Sequence, residues 1–330
     1  MSLNNIELLE RLLRQEEKEA FLFILNCCLK LNIQPVTDCK NYIYIEDREA
    51  AVCLVSHIDT VRSATDEPVF LKKHNNTLIR NGSGILGADD RVGAYLMLSN
   101  LIYGSKKVPV SYLFTTGEEI GCTGAKQFIK DIKDMPKKLQ VFIELDRQGI
   151  YNYVCYHEPV KEIDEWLTGQ GFHEEVGSCS DILHLCEAYQ VPGVNIAVGY
   201  FQQHTKNEYL YLPYMDEVEK IILPKLLTGP GRRYKIPPTP KLSFNAGSSW
   251  FYDKKSYNFH DDADDMPDDL FCFLEELYFY NLLDADYTCK YCGADHTEKR
   301  PCKNFKKHLK ASGYLEDWYS FFPEEGAING

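Results

Sequence analysis

Glu118 and Glu119 stand side by side in TTGEEIG, a stretch that closes an apolar run of β type. Neighbouring carboxylates repel, so a strand end gains nothing from the pair unless a cation lies beside it. Four further places along the chain offer matching donors. His57 and Asp59 in SHID end another apolar run and lie on one side of an extended chain at period two. An imidazole with a carboxylate neighbour suits a metal ligand oriented by an outer partner. Asp89 and Asp90 follow a glycine-rich turn and open a helix in GADDRVG; Asp146 ends VFIELD, and His204 sits in GYFQQHTKNEY. Two histidines and several carboxylates suit zinc or a similar divalent ion, and an aspartate can bridge two such ions. Taken singly, each has an ordinary structural role: an Asp pair before a helix caps it, and an Asp after a strand makes a turn. All five fall in order at a strand end or a helix start, and that sets them apart.

The elements that must position these residues alternate. NYIYIED, AAVCLVSHID, VPVSYLFTT, LQVFIELD and PGVNIAVGYF read as strands, and PVFLKKHNNTLIRN as a hairpin turned at Asn75-Asn76. RVGAYLMLSNLIYG, GAKQFIKDIKDM, a short piece from Ser180 to Tyr189 and MDEVEKIILPKLL read as helices, as does the amphipathic N-terminus. Alternation of this kind predicts an α/β fold, a three-layer sandwich with a mostly parallel central sheet. Ligands of such sheets gather at the carboxyl ends of the strands.

With 330 residues and 44% hydrophobic content, the chain can bury a full core. A formal net charge of −13 lacks the basic face that nucleic acid or an anionic membrane requires, so neither is an expected partner. No apolar run reaches 18 residues, and the N-terminus lacks the basic start and apolar core of a signal peptide. The 12 cysteines therefore read as thiols of a reduced, cytoplasmic protein, with metal explaining any cluster. Three segments are expected: a catalytic domain over 1–227, a linker or irregular excursion rich in Pro, Gly and Asp over 228–265, and a helix plus a zinc-binding module over 266–330.

In order and spacing, SHIDTV, GADDRVG, TTGEEIG, ELD and GYFQQHTKNEY resemble the co-catalytic zinc exopeptidase superfamily over residues 40–226. That superfamily includes leucyl aminopeptidases, peptidase T and relatives of carboxypeptidase G. The resemblance implies that His57 and Asp146 hold one zinc and that Glu119 and His204 hold the other. It implies Asp90 as the bridge, with Gly93 three residues on as the family pattern has it. Asp59 would orient His57, and Glu118 would be the general base. The implied reaction is hydrolysis of a peptide or N-acyl amine, most simply by an aminopeptidase. A glutaminyl cyclase or an N-acyl amino acid deacylase is the alternative on the same fold, and a non-catalytic scaffold is the alternative outside it. Fewer than 60 residues separate Asp146 from His204, too few for the lid domain that the peptidase T and carboxypeptidase branches insert there. A bare catalytic core is expected, with Ser180, Asp181, Asn195 and Tyr200 flanking the site as candidate substrate contacts.

Near the C-terminus, CKYCGADHTEKRPC resembles a zinc knuckle, with Cys289, Cys292, His296 and Cys302 as a structural zinc site. His296 stands one residue early for that pattern, and His308 is the other candidate for the fourth ligand.

Overall fold

In the computed structural model, residues 5–61, 69–82, 84–104, 108–177 and 180–237 are described. All lie in the first of two units into which the chain divides, Met1–Asn245. The candidate knuckle ligands Cys289, Cys292, His296, Cys302 and His308 lie outside the described residues.

The N-terminal amphipathic stretch forms two helices, α1 (Asn5–Arg14) and α2 (Glu17–Lys30). The break falls where Glu16 caps α2 and the Glu19 side chain accepts the Glu16 N–H at 3.2 Å. Strands β1 (Val36–Thr37), β2 (Tyr42–Ile45) and β3 (Val52–His57) follow. The expected hairpin is β4 (Leu71–His74) and β5 (Thr77–Arg80), turned where Asn75 takes φ 52°. Then come α3 (Ala88–Tyr103), β6 (Val110–Thr115), α4 (Thr123–Asp131), β7 (Val141–Arg147), β8 (Asn152–Cys155), α5 (Lys161–Thr168), β9 (His173–Glu174) and α6 (Asp181–Tyr189). The described part closes with β10 (Gly193–Ala197), β11 (Tyr200–Phe201), β12 (Tyr209–Tyr211), α7 (Leu212–Glu217), a π-helical turn Val218–Ile222, and α8 (Leu223–Leu226).

Eight strands form the main sheet in the order β1-β2-β6-β3-β7-β10-β8-β9. Its four central strands, β6, β3, β7 and β10, are parallel, so their carboxyl ends share one edge. They are buried on both faces, which is why they read as unbroken apolar runs. Alternation sorts their side chains. Val52, Leu54, Phe114, Ile143 and Ile196 join the core that also holds residues of α1, α2, α3 and α5. Cys53, Val55, Leu113 and Phe142 face the other way, toward Phe128 of α4 and Ile182 and Leu185 of α6. Three layers result, as the sequence predicts. The segment between Asp146 and His204 builds the β8, β9 and β10 side of this sheet and not a separate lid. A second, four-stranded sheet, β11-β12-β5-β4, pairs the hairpin with the strands that flank His204. Residues 228–237 carry no helix or strand, and Tyr234 and Ile236 pack on the two cores.

Candidate metal centre

The metal-type side chains converge at the carboxyl edge of the central strands, where His57 and Asp146 continue the alternation of the face that α4 and α6 cover. His57 ends β3, and Asp146 stands near the end of β7. The ladder between β7 and β10 shifts register here: Glu144 pairs with Asn195, but Arg147 pairs with Ala197. Two residues of β7 thus oppose one of β10, a bulge that turns Asp146 out of the regular ladder. The Asn195 side chain takes over the lost ladder bonds, accepting from the Asp146 N–H at 3.0 Å and donating to the Asp146 carbonyl at 3.1 Å. The Tyr200 hydroxyl lies 3.0 Å from both the Asp146 carbonyl and its Oδ1. Asn195 and Tyr200, expected as substrate contacts, therefore spend these polar atoms on Asp146.

Asp59 is the organiser of the opposite wall. His57 Nδ1 is 3.1 Å from the Asp59 carbonyl and 3.4 Å from its Oδ1. The same carboxylate accepts the backbone N–H of Glu118 at 3.3 Å and of Glu119 at 3.2 Å. One buried residue thereby fixes a histidine and the turn that carries both glutamates.

The aspartate between the two histidines is Asp89, not Asp90. Its Oδ1 is 3.1 Å from His57 Nε2, and its Oδ2 is 3.2 Å from His204 Nε2. Asp90 turns inward, where its Oδ1 accepts the Gly93 N–H at 2.9 Å. Both residues have non-helical φ and ψ, so the regular helix begins after them and Asp90 is its working N-cap. Gly93, expected to mark the bridge, serves this cap: a Cβ there would come within 2.2 Å of the Leu145 carbonyl and 2.5 Å of Asp90 Oδ1. The ordinary capping role of an Asp pair falls to its second member and leaves the first free to face the histidines.

Two overlapping donor groups result, His57–Asp89–Asp146 and Asp89–Glu119–His204, each with its donor atoms within 4.8 Å of one another. In the second, His204 Nε2 is 3.1 Å from Glu119 Oε2. Glu118 belongs to neither group. Its Oε2 is 3.9 Å from His57 Nε2, close to the donors but outside hydrogen-bond reach.

The electrostatics ask for positive charge. Burial, followed by the Asp89 charge, pushes the Asp146 carboxyl up to about 6. Burial also pushes Glu119 up to about 7, with His204 opposing and Asp89 adding to the rise. Glu118 is driven well above the carboxylate range, first by burial and then by Glu119, Asp146 and Asp181 against the opposing pull of His57. Burial would depress His57, but the Asp146 and Asp59 charges outweigh it and hold its pKa well above the usual value. A shared carboxylate, two imidazoles and two further acids supply the oxygen and nitrogen donors that two divalent ions of the zinc type require. The donor set fits a two-ion centre.

Beneath this layer, on the same face, lie two more acids, both fully buried. Ser180 caps α6 and donates its hydroxyl to Glu144, and Thr115 donates to Asp181. Glu144 Oε1 and Asp181 Oδ1 have no hydrogen-bond partner. Sequence reading placed Ser180 and Asp181 beside the substrate; the structure puts them under the centre. Glu208 went unnoticed in the sequence. Its carboxylate is 2% exposed and accepts the N–H groups of Gly87 at 2.7 Å and Asp89 at 3.1 Å. The only sequence signal is its place four residues after His204.

The fold is shared with solved aminopeptidase and tripeptidase structures, and the donor groups draw on the motifs that carried the resemblance, with Asp89 rather than Asp90 between the histidines. Residues 42–175 match the model of peptidase family M28, which supports a metallopeptidase. The structure is similar to aminopeptidase PepT from Bacillus cereus ATCC 10987, at TM-score 0.55 and 14% identity, covering 70% of this chain and 100% of that one. A tripeptidase from Staphylococcus aureus subsp. aureus Mu50 aligns equally well, at TM-score 0.55 and 14% identity over 70% of this chain and 100% of that one. At such identities the likeness is one of fold. No curated protein matches the chain.

Proposed function

We propose that the protein is an aminopeptidase-type hydrolase of peptide or amide bonds, working with two zinc ions and with Glu118 as general base. The observation that carries this reading is the Asp89 carboxylate, whose two oxygens each face a different histidine within 3.2 Å. His57 and Asp146 would hold one ion, Glu119 and His204 the other, and Asp89 would serve both. When bound, such ions supply a water that ionises near neutral pH and a Lewis acid for the scissile carbonyl. The chain's own residues do the rest. Asp59 holds His57 so that Nε2 faces the centre, and Asn195 and Tyr200 hold Asp146. Glu118, free of both donor groups, takes a proton from the attacking water on its carboxylate and returns it to the leaving amine. Asp59, through the Glu118 N–H, fixes where that base starts.

Localisation in a reducing compartment forms part of the proposal. It is supported by Cys53 and Cys186, which lie buried in the core as thiols. Among the described residues, no helix is long and apolar enough to cross a membrane.

The test is elemental analysis of the purified protein together with turnover of aminoacyl-anilides and N-acyl amino acids. Two ions beyond any held by the C-terminal cysteines, with release of anilide, are expected. One ion with cyclisation of N-terminal glutamine would overturn the assignment in favour of a cyclase, and turnover of N-acyl amino acids alone in favour of a deacylase.

A further inference from the structure

Glu208 stands on the loop that carries His204, yet both of its carboxylate oxygens are committed to a different segment, the turn that carries Asp89. That turn is built to receive it. Gly87 takes φ 76°, a left-handed conformation that glycine adopts without strain, and so presents its N–H and that of Asp89 to one acceptor. Neither N–H could find a partner within α3, because the first N–H groups of a helix have no carbonyl behind them. A buried carboxylate between two backbone donors is a strong, directional contact, of the charge-assisted kind. The acid is itself 2% exposed, so water does not compete for it. Its chain neighbour Tyr209 begins β12, which pairs with β5, and the Leu212 N–H donates to the Asn76 carbonyl of the hairpin at 2.9 Å. The loop that holds Glu208 is therefore anchored independently of any ion.

We propose that Glu208 is a positioning residue that locks the Asp89 backbone to the His204 loop, so that the second ion site, Asp89–Glu119–His204, is formed before any ion arrives. This inference rests on the two-ion reading given above. The reasoning is geometric. A carboxylate shared between two histidines must present one oxygen to each, and a small rotation about its backbone swings both oxygens off target. The first site keeps His57 and Asp146, which have their own supports in Asp59, Asn195 and Tyr200. The second site draws His204 and Asp89 from the two segments that Glu208 ties together. Loss of the tie should fall on the second ion more than on the first. Outer partners of metal ligands commonly contribute about 10- to 100-fold in affinity, and a loss in that range is expected here.

The experiment is stepwise titration of the metal-free protein with zinc by calorimetry, and with cobalt(II) by visible absorption, where thiolate-to-cobalt bands set any ion on the C-terminal cysteines apart from the two steps of the centre. Wild type, Glu208→Gln and Glu208→Ala are compared, with unfolding of each metal-free form as a control. In Glu208→Ala the second step should weaken about 10- to 100-fold, the first by less than about 3-fold, and the absorption of the second cobalt ion should shift. Glu208→Gln keeps one acceptor oxygen and should lie between the two. If the alanine variant fails to fold, the glutamine variant alone decides, by a selective loss at the second step. Equal weakening of both steps, or an unchanged second step, would overturn the proposal. A wild-type protein that binds only one ion at this centre would overturn the two-ion reading itself.

Discussion

Asp181→Asn measures what the buried acid layer under the centre costs the fold. Asp181 is fully buried, and its Oδ1 has no hydrogen-bond partner. Burial, with the Asp59 charge adding to it and Thr115 and His57 opposing, pushes its carboxyl from 3.8 up to about 6. A carboxyl whose pKa is higher folded than unfolded carries no penalty below about pH 4, where it is protonated in both states. The penalty grows as pH rises and is complete above about pH 6, so this group subtracts stability at neutral pH. A gap of about two units corresponds to about 3 kcal/mol. Asparagine keeps the shape and an oxygen for the Thr115 hydroxyl but cannot ionise. Its amide N–H meets the unpartnered space beside Oδ1 and costs a similar amount at every pH, so it cancels when two pH values are compared. The assay is urea unfolding of metal-free wild type and variant at pH 4 and pH 7.5. The stability of the variant relative to wild type should rise by about 3 kcal/mol between them. Zinc should shrink that increment, because divalent ions above the acid layer favour its ionised form. A relative stability that stays level across the range refutes the claim that Asp181 ionises at a cost to folding.

Three further outcomes are expected. Glu118→Gln should keep its metals and lose at least about 100-fold in turnover, since only the proton acceptor is removed; near-normal turnover in the metal-loaded variant would end its assignment as base. Asp89→Ala should lose both ions by elemental analysis, whereas Asp90→Ala should keep two and lose about 1 kcal/mol of stability with its helix cap; the reverse pattern would restore Asp90 as the bridge. For the C-terminal segment, read from sequence alone, Cys289→Ser with Cys292→Ser should lower total zinc from three per chain toward two, and an unchanged count would refute a structural zinc there.

Much of the fold was legible because β3, β6, β7 and β10 are parallel strands buried on both faces, and such strands announce themselves as apolar runs with a polar residue at the carboxyl end. The hairpin was legible from Asn75-Asn76, since asparagine tolerates the left-handed turn conformation found there. The break between α1 and α2 was not, because the polar run from Arg14 to Glu19 reads as well for the exposed face of one amphipathic helix, and only the reciprocal Glu16–Glu19 contacts mark it. The composition of the site was readable residue by residue, but its orientation was not. Two adjacent aspartates look alike in a sequence, and the choice between bridge and cap depends on backbone angles that place Asp90 under Gly93. Glu208, and the supporting roles of Asn195 and Tyr200, were hidden for a related reason: each acts on the backbone of another segment, and no spacing rule reports that.

The parallel order of the central strands has a thermodynamic consequence. The donors of each group come from separate strand ends and loops, never from one turn of chain as in a knuckle. An unfolded chain offers these ions no ready-made chelate, so their binding belongs almost wholly to the native state. Stabilisation by ions at this centre then follows the mass-action relation closely, with little offset from the unfolded chain, unlike an ion on the local Cys289 and Cys292 pair. Each tenfold rise in free zinc above the dissociation constant should stabilise the protein by about 1.4 kcal/mol per ion bound. On the proposed two-ion reading, free metal concentration controls the stability of the protein as well as its activity.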